Sequence, residues 1–257
     1  MRYYRAVVKI VDRVLNEEDQ AIRRAVEACT DSIASGRGVL LFGAGHSALP
    51  CLEAFPRIGS PVGFIQITEP VLSYNGHVIG KGGQRQMSFL EKTSGLAGAI
   101  LANYRLAPED TLVVISNSGI NPLPVELTAE ANRRGVTTIG LGSRAHSEAN
   151  QPLNPLNRRL LEIADIPIDN HLPPGDTLIS LGEGDEVGAG STIVHMLILN
   201  GLIVETAAAL RERGCSLVLY PNHNASGNQD ELHRQEEAVY RAYGELLDKY
   251  RIKGEEA

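Results

Sequence analysis

Residues 110–122 read DTLVVISNSGINP, and the fold turns on this stretch. Residues 112–116 are almost wholly apolar and β-branched, the pattern of a strand buried on both faces. The run passes directly into Ser116, Ser118 and Gly119, and an amphipathic helix is expected over 123–134 (LPVELTAEANRR). A hydroxyl-bearing turn between a buried strand and a helix start is a ready anion site. Free backbone N–H groups lie there and the helix dipole favours negative charge. The plainer alternative is that Ser and Gly are present only to make the turn.

The same arrangement occurs upstream. Residues 39–42 (VLLF) form a buried run, Gly43-Ala44-Gly45-His46-Ser47-Ala48 follows, and a helix is expected to about residue 55. The third glycine of a dinucleotide fingerprint would fall at Ala48, so a nucleotide cofactor is a minor alternative. Further strands are expected at 62–67, 136–141 and 164–169, the last broken by Pro167 as an edge strand would be. Weaker strand signals lie at 177–179 and 215–220. Helical patterns cover 3–35, as one helix or two, then 88–104, 191–213 and 231–250. Residues 72–86 are polar and glycine-rich, a loop long enough to serve as a lid or a subunit contact.

Strands alternating with helices predict an α/β fold, a parallel sheet with helices on both faces. In such sheets ligands sit beyond the carboxyl ends of the strands. The two Ser/Gly turns both follow strands, which places them on one rim.

Composition narrows the function classes. The chain has 257 residues, 43% of them hydrophobic, and a formal charge of −7 with no basic stripe. A nucleic-acid partner is not expected. Residues 191–210 are apolar enough to resemble a membrane span, but they carry His195, Asn200 and Glu205 and read as a buried core helix, so no membrane is expected. Cys29, Cys51 and Cys215 are odd in number and far apart, and the first residues have no apolar core of a signal peptide. A reducing cytoplasm is the expected location. No histidine pair has a metal-ligand spacing, so neither metal nor other cofactor is expected.

Taken together, Gly43-x-Gly45-x-Ser47, Ser116-x-Ser118-Gly119 and the helix start Gly190-Ser191-Thr192 resemble the sugar isomerase (SIS) domain family of phosphosugar-binding proteins. The segments FGAGHS, VVISNSGINPLPVE, ADIPIDN and the helix from GSTI to ILN are similar to a largely uncharacterised group related to phosphoheptose isomerase. The resemblance implies one SIS domain over 1–257, a flavodoxin- or Rossmann-like three-layer sandwich. It would comprise an N-terminal helical arm (1–36), an α/β core (37–220) and a C-terminal loop and helix (221–257). It implies a sugar phosphate held by Gly45, His46, Ser47, Ser116, Asn117, Ser118, Gly119, Asn121, Ser191 and Thr192. The family often has Ser or Thr where this chain has Asn121. A homodimer or homotetramer is also implied.

His195 matches the catalytic histidine of phosphoheptose isomerases, and the alternative is a histidine satisfied inside the core. Their catalytic glutamate falls at Arg57 in this chain. Glu53 on the same helix is a candidate by chemistry only, and Glu69 and Glu91 stay open. The expected activity is aldose–ketose isomerisation through an enediol. The alternatives are a phosphosugar sensor without turnover and a lyase or etherase acting on an amino-sugar phosphate.

Overall fold

In a computed structural model, residues 1–73, 83–224 and 228–252 are described. The chain opens with α1 (Arg2–Glu17) and α2 (Asp19–Ala34), then β1 (Val39–Gly43), a 3-10 turn (Gly45–Ser47) and α3 (Ala48–Ala54). Next come β2 (Phe64–Gln66), α4 (Pro70–Ser73), α5 (Gln84–Glu91), α6 (Leu96–Leu101), β3 (Thr111–Ile115) and α7 (Pro122–Arg133). β4 (Thr137–Gly142), α8 (Arg144–Glu148), α9 (Leu160–Ile163) and β5 (Ile166–Asp169) complete the sheet region. A hairpin, β6 (Thr177–Gly182) and β7 (Asp185–Ala189), precedes α10 (Ser191–Glu212) and α11 (Gln229–Asp248).

β1 to β5 form one parallel sheet in the order β2-β1-β3-β4-β5, the doubly wound order of flavodoxin-like folds. The period-two alternation of the strands divides the core. Val39, Leu41, Val113, Ile115, Ile139 and Leu141 face α2, α3 and α10. Leu40, Phe42, Leu112 and Val114 face α6, α7 and α9. β5 lies at the sheet edge, which is why Pro167 is tolerated there.

The two N-terminal helices pack against the rest of the chain. α2 lies on the sheet through Ala25 and Cys29, while α1 forms an outer layer, its Tyr3 hydroxyl donating to Ala189 O at 2.7 Å. At the α1–α2 junction, Glu18 Oε2 accepts the Asp169 N–H at 3.3 Å and ties the arm to the end of β5.

Several expectations need correction. The helix expected over 88–104 is two helices, broken at Gly95 (φ 84°), whose N–H donates to Glu126 at 2.7 Å. Residues 215–220 form no strand; only Leu219 makes a bridge, to Pro61. Residues 177–189 form an exposed antiparallel hairpin turning at Glu183 and Gly184 (φ 54° and 87°), rather than one strand and a loop. α10 is not buried all round: Val194, Ile198 and Leu202 face inward, while Ile193, Leu197 and Val204 are exposed. It is long and apolar enough to cross a membrane, but its inner stripe packs on α2 and α3. Most of the loop expected at 72–86 lies outside the described residues (74–82).

Candidate functional site

The sheet order reverses between β1 and β3, where connections leave to opposite faces, the position at which ligands of such sheets bind beyond the strand ends. Both Ser/Gly turns start there, so the shared rim expected from the sequence is present. The first turn is tight: a Cβ on Gly43 would fall 2.0 Å from Ser47 O, so only glycine fits. The second needs Gly119 at φ 59°, with Leu160 packed where a Cβ would be. Ser116 is buried, and its oxygen accepts the Gly119 N–H at 3.2 Å, leaving its hydroxyl hydrogen free to donate. Ser47 and Ser118 are half-buried, His46 is exposed, and Asn121 is the N-cap of α7 without closing a side-chain cap.

The carboxylates separate by environment. Glu53 is at the far end of α3 from Ser47 and pairs with Arg57 at 2.8 Å. Glu91, the last residue of α5, sits against the second turn. α5 packs on both the Gly45–Ser47 turn and α7. Burial raises the Glu91 pKa, against an opposing hydrogen bond from the Asn121 side chain and the charge of Lys92.

The N-terminus of α10 is occupied by a carboxylate of the chain itself. Asp176 accepts the Ser191 N–H at 2.8 Å, the Ser191 hydroxyl at 2.6 Å and the Gly190 N–H at 3.1 Å. Ser191 is therefore committed to Asp176 and does not join the two turns as a donor; Thr192 beside it is half-buried. His195, one turn further, is fully buried, and burial pushes its pKa down to about 3. α10 packs on the Gly45–Ser47 turn.

Asn170 connects these parts and had no role in the sequence reading. Its amide nitrogen lies 2.8 Å from Asn117 Oδ1 and 2.7 Å from His195 Nε2. Asn117 also accepts the Ser143 N–H at 2.9 Å through its backbone oxygen. A carboxamide directly after a buried strand, inside the segment ADIPIDN, was the available signal. Among the described residues no three His, Cys, Asp or Glu side chains group as a metal site would require.

Comparison with known proteins agrees with this geometry. Residues 2–143 match the family model described as SIS domain. The UPF0309 protein of Brucella ovis is 31% identical over 233 residues, 89% of this chain and 91% of that protein. The one from Halalkalibacterium halodurans is 30% identical over 230 residues, 89% of each. In fold, the chain is similar to a phosphoheptose isomerase from Francisella tularensis (TM-score 0.53, 19% identity, 80% of this chain and 95% of that one). It is also similar to the Vibrio vulnificus NanR protein complexed with ManNAc-6P (TM-score 0.52, 14% identity, 93% and 67%). The family match over more than half of the chain and the nearly full-length relatives show that this chain belongs to the SIS domain family and, within it, to the UPF0309 proteins.

Proposed function

We propose that the chain binds a sugar phosphate at the β1/β3 crevice and interconverts its aldose and ketose forms. The observation that carries this reading is the pair of hydroxyl turns flanking the switch point. The hydroxyls of Ser47 and Ser118 have no partner among the described residues. The phosphate would take these hydroxyls, that of Ser116, and the N–H groups around Gly45 and Asn121, the Gly119 N–H being given to Ser116. Holding the non-reacting phosphate positions C1 and C2 against the acid/base groups. Glu91 suits the proton-transfer role better than Glu53, because it borders the second turn and its desolvated carboxyl is easier to protonate. His195 is the second candidate group. One protein of similar fold is a phosphoheptose isomerase and another is complexed with ManNAc-6P, which supports the substrate class.

The reading includes a homodimer or homotetramer. α1 and α10 turn Tyr4, Val8, Leu15, Ile193, Leu197 and Val204 outward, an apolar face of the kind that subunits bury. A single monomer mass in light scattering at micromolar concentration would remove that part. With three free thiols, the protein would act in the reducing cytoplasm.

The functional test is a turnover assay across C5 to C8 sugar phosphates. Interconversion of at least one is expected. Binding without turnover of any would leave the second reading, a phosphosugar sensor, which the full burial of His195 favours. Failure to bind any would end both.

A further inference from the structure

Beneath the rim runs a chain of buried polar groups with one open end. Asn170 is fully buried, and its backbone N–H donates to Gly142 O at 2.8 Å. Its side-chain oxygen accepts the Leu172 N–H at 3.0 Å, which fixes how the amide faces. The nitrogen is thereby committed to Asn117 Oδ1 and His195 Nε2. An amide nitrogen carries two hydrogens and accepts none. Nε2 must be the acceptor, so the proton of the neutral ring lies on Nδ1. Among the described residues Nδ1 is buried without a partner. An imidazolium would set an Nε2–H against the amide hydrogen and lose that bond.

We propose that Asn170 is the positioning residue of this site, fixing His195 as the neutral Nδ1–H tautomer and committing Asn117 Oδ1 inward so that the Asn117 amide hydrogens are left for the rim. The role in turnover rests on the phosphosugar reading above. In an aldose–ketose interconversion the C2 proton is carried to C1 and the O2 hydroxyl proton ends on O1, while C1=O1 becomes C2=O2. Negative charge builds on these oxygens in between. A neutral N–H donor stabilises that charge without carrying the carbon proton, and a carboxylate such as Glu91 carries the proton.

Other ionisable groups do not supply the missing partner. Asp169 accepts the Arg144 N–H at 3.0 Å and the His171 N–H at 2.9 Å. Cys29 and Cys51, on the packed helices α2 and α3, are buried thiols pushed up to about 12, neutral throughout the working range. His46 on the adjoining turn is exposed.

The experiment is nitrogen-15 NMR of ring-labelled histidine in the ligand-free protein, with His195→Gln identifying the signal. From pH 5 to 8 the His195 Nδ1 should be of the protonated, pyrrole-like type and Nε2 of the bare, pyridine-like type. A proton on Nε2, or a ring that titrates within this range, overturns the proposal. Asn170→Asp keeps the shape but offers an acceptor, so the proton should move to Nε2. Turnover should then fall about 100-fold, the scale of losing one transition-state donor, with KM changed far less. An unchanged ring in a folded Asn170→Asp also overturns the proposal, and if that variant does not fold, the unaltered protein's spectrum still decides the tautomer. Failure of the unaltered protein to bind sugar phosphates would instead refute the phosphosugar reading, a separate result.

Discussion

The two edges of the sheet treat their polar groups in opposite ways. At the amino edge Asp110 is fully engaged. It accepts from Arg37 Nε at 2.9 Å and Nη2 at 2.6 Å, from the Ala107 N–H at 2.7 Å and from the Tyr250 hydroxyl at 2.5 Å. The Tyr250 oxygen accepts the Gly38 N–H at 2.8 Å, and Arg37 lies over the Tyr250 ring at 4.5 Å. This knot ties the C-terminal end of the chain to the base of β1 and β3. At the carboxyl edge, among the described residues, the Ser47 and Ser118 hydroxyls and His195 Nδ1 have no partner, Asn121 closes no cap, and Glu91 is held in a desolvated position. Buried polar groups are normally satisfied, and exceptions call for an explanation. Among the described residues the buried exception at the switch point is His195 Nδ1, while Ser147 Oγ, His171 Nε2 and Thr206 Oγ1 lie elsewhere. The base of the sheet carries stability, and the rim carries unfilled hydrogen-bonding capacity.

The largest expected effect falls on the base. Asp110→Ala removes the buried acceptor shared by the half-buried Arg37 guanidinium and the buried Tyr250 hydroxyl and should cost about 3 kcal/mol in chemical denaturation. The folded fraction should bind ligand as before. A loss below about 1 kcal/mol would show that the knot is not the anchor described.

The rim should respond through pH. His195 is held near 3, below its ordinary 6.5, so the unfolded chain takes up a proton that the folded one refuses. Its contribution to stability is whole above about 6.5 and is lost as pH falls toward 3, by about 1.4 kcal/mol per pH unit. His195→Gln should lack this component, so the gap between the two proteins should shrink or reverse on acidification. Parallel pH profiles would contradict the buried neutral ring.

A smaller effect is expected at Glu91. Its pKa is raised, so the ionised form is penalised in the folded state above its ordinary range and the penalty disappears on acidification. Glu91→Gln should raise the melting temperature at pH 7, converge with the parent in acid and lose turnover. A lower melting temperature at pH 7 would place Glu91 among structural groups, with the knot at the base.

The two edges also differed in how much of them could be read from sequence. β1, β3 and β4 were legible because each is a short apolar run buried on both faces and closed by Gly or Ser. The two turns were legible for the same reason, since Gly43 and Gly119 occupy positions that tolerate little else. The hairpin at 177–189 escaped because the glycines and carboxylates of residues 182–188 hide its strand pattern, although Leu178 packs against the core. The break at Gly95 depends on Glu126, 31 residues away. Asp176 and Asn170 escaped for a related reason. Their partners are 15 residues away at Ser191 and 53 away at Asn117, and no spacing rule announces such contacts. Sequence spacing located the turns; tertiary contacts alone showed that the third helix start is already filled by Asp176.

The most direct test of the central claim is calorimetric titration with a sugar phosphate and with the same sugar lacking phosphate, using the unaltered protein and the double variant Ser116→Ala, Ser118→Ala. If the rim is an unfilled phosphate site, only the phosphorylated sugar binds. The double variant then loses at least tenfold in affinity, about 1.4 kcal/mol, while melting within a few degrees of the parent. Equal binding of both sugars, or undiminished binding by the double variant, would contradict it.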